Sequence, residues 1–182
     1  MEKTQKINTR QLTLVGVMAA VTCILGPLSL PIGVIPISLT NLVIYFAAYV
    51  LGRKRATLSY IVYLFIGLIG LPVFSGFSGG FAKLFGPTGG YLIGFIFMAF
   101  ISGIFIDKFL NKIYMCFLGM ILGTIATYIF GTAWLAYQAH LTFNAALAVG
   151  VVPFIPGDLI KMIIASLTGP QIRKRLISSG LY

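Results

Sequence analysis

The sequence predicts an all-α integral membrane protein, a single domain over residues 1–182 with six transmembrane helices and both termini in the cytoplasm. Three observations lead there. Of the 182 residues 59% are hydrophobic and only 9% charged, and the mean hydropathy is +1.02. A soluble domain is typically about 25% charged. The apolar runs are long and helix-like, without the alternation of about ten residues that marks outer-membrane strands. Finally, eleven of the thirteen basic residues fall in the N-terminal tail, the second and fourth connections and the C-terminal tail. That distribution follows the positive-inside rule. It accounts for the net charge of +10 without a nucleic-acid partner.

Each span can be justified in order. Residues 1–10 are polar and carry Lys3, Lys6 and Arg10. The first span covers about 12–28. Gly16 and Ala20 in it are small residues four apart, and such pairs admit close approach of another helix backbone. From the spacing alone, packing inside the protein's own bundle is the plainer explanation. The start of the chain imitates a signal peptide, but further spans follow and no small-residue cleavage pattern ends it, so it reads as a retained helix. Residues 26–38, GPLSLPIGVIPIS, form an apolar loop with three prolines. Proline interrupts a helix, and an apolar loop beside a membrane suggests a lid over a pocket. A short second span, about 39–51, ends at Arg53, Lys54 and Arg55, and the third is about 57–71, before Pro72. Residues 73–91, VFSGFSGGFAKLFGPTGGY, hold six glycines. Glycine-rich backbone can bring N–H groups close to a ligand, although no P-loop pattern is present. A flexible external loop is the plain alternative. The fourth span is about 89–106, followed by Asp107, Lys108 and Lys112. The fifth is about 114–132. Residues 133–150 read as a mildly polar connection, with Trp134 and Tyr137 suited to an interfacial belt. The sixth is about 153–167, and 168–182 is a basic tail. Cys23 and Cys116 lie in separate apolar runs and suggest no disulfide or metal.

Chemistry concentrates in PFIPGDLIK, residues 153–161. The chain has three acids, Glu2, Asp107 and Asp158, and only Asp158 is embedded in apolar sequence. A charge in hydrocarbon costs at least a few kcal/mol, so it normally faces a bundle interior or a wet cavity and has a partner. Lys161, three residues on, shares its helix face. Pro156 suits a first helical position, which puts Asp158 in the first turn, near the positive end of the dipole. Two readings follow: a neutralised helix cap, or a pair that binds a polar solute. The charge distribution places the proline-rich loop, the glycine-rich loop and the start of the sixth helix together on the outer side. That convergence argues for solute binding.

At GPTGGYLIGF, residues 86–95, the sequence resembles the BioY family, the biotin-binding S components of energy-coupling factor (ECF) transporters. The resemblance recurs at PIS in 36–38, GLIGLPVFSGFSGG in 67–80 and GVVPFIPGDLIK in 150–161, and covers most of the chain. It departs at PISLTNL, where Thr40 and Asn41 stand in place of a common glutamine and threonine. The resemblance implies capture of biotin from outside, at the plasma membrane. It also implies docking to an ECF module of a membrane T subunit and two cytoplasmic ATPases, with the small-residue motif of Gly16 and Ala20 as the docking surface.

Biotin joins a ureido ring to an apolar thioether ring and a carboxylate tail. Asp158 suits the ureido N–H groups. Lys161 suits the ureido carbonyl or the carboxylate. Lys83, Thr88 and the backbone around Gly79, Gly80, Gly86 and Gly90 are expected at the remaining end, with Phe77 and Tyr91 over the apolar ring. No catalytic residues, metal or resident cofactor are expected. With one histidine and one embedded acid, a metal site or carboxylate dyad is hard to assemble, so an enzyme is disfavoured. A Ser–Lys pair, Ser75 or Ser78 with Lys161, is the enzyme alternative. A stand-alone transporter or a binding protein for another vitamin-like solute is the second. The chain has no internal repeat of the kind secondary transporters use and no nucleotide-binding motif, so ATP is expected to act through partner subunits.

Overall fold

The computed structural model describes residues 9–30 and 35–180. Lys3, Lys6, Glu2 and residues 31–34 of the proline-rich loop lie outside them. The described chain runs α1 (Thr9–Leu25), a two-stranded hairpin of β1 (Ser29–Leu30) and β2 (Ile37–Ser38), α2 (Thr40–Leu68), α3 (Phe81–Leu84), α4 (Gly89–Phe109), α5 (Ile113–Gln138), α6 (Phe143–Gly150), a 3-10 turn at Val152–Phe154, and α7 (Ile155–Ser178). The fold is all-α.

The second and third expected spans are the two halves of α2. Gly52 divides them with φ 72° and ψ 175°, a conformation that essentially only glycine adopts. The break frees the next amide from the helical ladder. The Arg53 N–H donates to Asp107 Oδ2 at the end of α4, 2.9 Å away. With α2 counted as two, the described residues give six principal helices, plus the short α3 and α6. Among these residues, α4, α5 and the run Phe143–Ser178 are long and apolar enough to cross a membrane, and α1 is a shorter apolar helix.

Three boundaries differ from the expectation, for local reasons. Helix α5 continues past Thr132 to Gln138 because Trp134 and Leu135 pack inward, Leu135 being fully buried. The polar connection after it contains α6, whose cap Thr142 accepts from the Ala145 N–H at 3.3 Å. Helix α7 runs through the supposed tail to Ser178, across Pro170. Arg173 on this extension is buried and pairs with Asp107 at 2.7 Å.

The core lies along α2. Tyr45, Tyr49 and Tyr63 are fully buried with Phe74. Tyr63 packs edge-on against Phe74 and lies 5.5 Å from it, centroid to centroid. Three buried tyrosine hydroxyls are partnered, where burial would otherwise be costly, while that of Tyr49 makes no hydrogen bond among the described residues. Tyr60 donates to Leu92 O at 3.0 Å, Tyr63 donates to Val73 O at 3.0 Å, and Tyr45 shares a 2.6 Å bond with Thr124. Phe74 therefore anchors the glycine-rich loop to α2. That loop is an ordered turn: Phe74 and Ser78 exchange backbone bonds, and the Gly80 N–H reaches Gly67 O at 2.7 Å.

Candidate functional site

Asp158 lies in the first turn of α7, behind Pro156 at its start. Lys161 follows on the same face. Both are buried, 6% and 8% exposed, so every polar atom there must be satisfied within the protein or by a ligand. The partners come from three other segments. Asn41, in the first turn of α2, donates its Nδ2 to Asp158 Oδ1 at 2.7 Å. Tyr128, on α5, donates to Asp158 Oδ2 at 2.7 Å. Lys161 Nζ donates to Ser38 O at 2.7 Å, to Asn41 Oδ1 at 2.9 Å and to Asp158 Oδ1 at 3.2 Å. The hairpin register, Ser29 opposite Ser38 and Leu30 opposite Ile37, holds the Ser38 carbonyl in this position.

The hydrogen-bond inventory of this cluster is informative. An ammonium has three donors, and Lys161 uses all three. An ionised carboxylate offers about four acceptor sites, and Asp158 uses three. Asn41 Oδ1 also accepts from the Leu42 N–H at 3.1 Å. The longest bond of the set is the Lys161–Asp158 ion pair. Opening it releases one donor and one acceptor side by side.

A pocket of about 530 Å³, its open mouth included, lies against the cluster. Asp158, Lys161, Asn41, Thr40 and Ser38 form its charged and polar wall. Tyr63, Tyr91, Leu92, Phe95 and Phe154 supply the apolar and aromatic one, and Ser75 and Thr88 add hydroxyls. Ile35 and Pro36, from the end of the proline-rich loop, also line it. Tyr91 is fixed from both sides. Its hydroxyl donates to Gly150 O at 2.9 Å, and its ring lies where a Cβ on Gly131 would come within 2.3 Å.

The expected site residues divide accordingly. Asp158, Lys161, Thr88 and Tyr91 line the pocket. Lys83, Phe77, Gly79, Gly80, Gly86 and Gly90 are not in its lining. Phe77, at φ 52°, is 65% exposed at the tip of the glycine-rich turn. Gly79 backs onto Leu71 O, and Gly80 precedes α3 at φ 83°. Lys83 sits in α3, where partial burial lowers its ammonium below the ordinary lysine value. Gly86 O accepts from Trp134 Nε1 at 2.9 Å, and Gly90 lies against the Trp134 side chain. Gln138 donates to Phe85 O beside it. The extended end of α5 thus clamps the turn that leads into α4. Gly16 and Ala20 lie elsewhere, on an exposed face of α1, and a Cβ on Gly16 would meet nothing within 4 Å.

Sequence reasoning missed Asn41 and Tyr128 as members of the cluster, along with Ser38, Ser75, Tyr63, Phe95 and Phe154 as lining. Asn41 had a signal, an amide at the start of an apolar span where the family pattern departs. Tyr128 had none, since an aromatic within an apolar run reads as core or lipid-facing.

A family model described as the BioY family matches residues 1–178. The chain belongs to the BioY family. Among relatives of this BioY chain, the biotin transporter BioY2 of Lactococcus lactis subsp. cremoris is 33% identical over 98% of both chains. The biotin transporter BioY of Thermotoga maritima is 38% identical over 91% of this chain and 96% of its own. A crystal structure of the S component for biotin from an ECF-type ABC transporter superposes with a TM-score of 0.84. It is 36% identical and covers 96% of this BioY chain and 95% of that one. The BioY fold is that of an S component, a transporter subunit and not an enzyme.

Proposed function

We propose that this multi-pass membrane protein is the biotin-capturing S component of an ECF-type uptake system. It would take biotin from outside and pass it on through an ECF module. The observation that carries the proposal is the ion pair of Asp158 and Lys161, buried at one wall of a pocket whose other wall is apolar and aromatic.

The ureido group presents an N–H next to a carbonyl. Inserted into the ion pair, the N–H meets the acceptor that Lys161 gives up on Asp158, and the carbonyl meets the released Lys161 donor. Every buried group stays satisfied throughout, because the ligand replaces one hydrogen bond with two. Asn41 and Tyr128 keep Asp158 in place during the exchange, and Ser38 O and Asn41 Oδ1 hold Lys161. The thioether ring then lies against the Tyr91, Phe95 and Phe154 side of the pocket. Thr88, at the N-terminus of α4, is assigned to the carboxylate end. Gly79, Gly80, Gly86 and Gly90 act by shaping the backbone of the glycine-rich loop, and Phe77 and Lys83 by closing its outer edge.

The ECF module is assigned as a membrane T subunit and two ATPases, with Gly16 and Ala20 on the docking face. Exposure of the small residues along α1 supports that choice, since close backbone approach needs an open face. The test is uptake of labelled biotin into proteoliposomes. Purified protein alone should bind biotin without net flux, and addition of the module and ATP should start flux. Flux without the module would instead make it a stand-alone transporter.

A further inference from the structure

Where Gly52 divides the two halves of α2, away from the Thr40, Asn41 and Tyr63 positions that line the biotin pocket, lies a second cavity, of about 950 Å³ including its mouth. Gln11 from α1, Leu51 to Arg55 from the break, Asp107 from α4 and Arg173 from α7 line it. Its charge is one-sided. Asp107 is already engaged, by Arg173 at 2.7 Å and by the Arg53 N–H at 2.9 Å. The other described acid, Asp158, is paired with Lys161 in the biotin site. Arg53, Lys54 and Arg55 therefore have no acidic partner among the described residues. Arg53 and Lys54 are exposed and Arg55 is half-buried. The positive-inside rule requires basic residues on this side, but it does not require a concave site. Here the non-helical Gly52 turns three consecutive cations around one hollow.

We infer that this cavity binds the phosphate headgroup of an anionic lipid of the inner leaflet. Arginine side chains match phosphate oxygens in a two-pronged geometry, and lysine adds a point charge. Basic pockets between helices at the cytoplasmic surface are suited to phospholipid headgroups. The cavity lies where the apolar first half of α2 gives way at Gly52 to three cations, the end that the positive-inside rule puts at the cytoplasmic surface. Leu51 forms its apolar wall, and exposed Leu12 follows Gln11 along α1, which gives an acyl chain an apolar flank.

The test uses purified full-length protein in detergent micelles doped with phosphatidylglycerol or, at equal mole fraction, phosphatidylcholine, with bound lipid read by native mass spectrometry. Phosphatidylglycerol should be retained in preference to phosphatidylcholine. Arg53→Gln with Arg55→Gln should lower that preference roughly tenfold, while biotin affinity stays at the wild-type value. Arg53→Gln keeps the backbone N–H that meets Asp107. Lys108→Gln with Lys112→Gln removes the same charge outside the cavity and should leave the preference intact. Should the first double variant lose biotin binding, Lys54→Gln serves in its place, with a loss of roughly threefold to fivefold. Equal retention of the two lipids overturns the inference. So does an equal effect of the Lys108 and Lys112 pair, or displacement of phosphatidylglycerol by the same concentration of inorganic phosphate.

Discussion

Asn41 Nδ2 lies 2.7 Å from Asp158 Oδ1, joining the first turn of α2 to the first turn of α7 across 117 residues of sequence. The same amide's oxygen accepts from Lys161 at 2.9 Å. One neutral side chain thus holds both members of the ion pair. Asn41→Leu should lower biotin affinity at least tenfold and also lower thermal stability, because hydrogen bonds to charged groups contribute about 1.5–3 kcal/mol each. Unchanged affinity in a titration would remove Asn41 from the site.

Asp158→Asn keeps the shape and removes the charge. Losing a charged acceptor should weaken biotin binding roughly ten- to a hundredfold with the fold intact. If affinity holds and only the melting temperature falls, Asp158 is a helix cap and not a ligand.

Lys161→Met should also weaken binding. Insertion of the ureido group into the ion pair requires that biotin and biotin amide lose affinity equally in this variant, since both carry the ring. A loss confined to biotin would move Lys161 to the carboxylate end.

The orientation of the cavity and of the pocket can be read by labelling. Cysteines at Lys54 and Lys174 should react only with reagent on the cytoplasmic side, and one at Ser78 only from outside. External labelling at Lys174→Cys would break the six-helix topology.

Gly16→Trp or Ala20→Trp should abolish ATP-driven uptake and co-purification with the ECF module. The isolated protein's biotin affinity should not change, because both residues face outward on α1. Joint loss of uptake, complex and affinity, with poor expression, would return them to internal packing.

The fold was legible wherever one physical rule dominated. Long uncharged runs set the helices, and clustered cations set their ends. Asp158 and Lys161 stood out because a charge in an apolar run needs a reason. The rest depended on tertiary geometry. Arg173 read as a tail residue because nothing local tells that α7 continues and pairs it with Asp107. Residues 53–55 read as a loop because three cations between apolar runs look like a polar linker, whereas the chain breaks at Gly52 alone and the helix resumes at once. Tyr128 was invisible because its hydroxyl acquires meaning only opposite Asp158. The glycines of residues 73–91 showed the reverse difficulty. Their abundance suggested ligand contact, yet Gly86 and Gly90 lie against Trp134, a contact that requires α5 to extend beyond its apparent end.

The central claim is that the pocket at Asp158 and Lys161 takes biotin. It is tested most directly by purifying the protein in detergent from cells grown with biotin and identifying the co-purifying small molecule by mass spectrometry. Wild-type protein should carry biotin in near-stoichiometric amount, and Asp158→Asn should carry far less after the same wash. A different solute in the wild-type protein, or equal biotin in both proteins, would contradict the account.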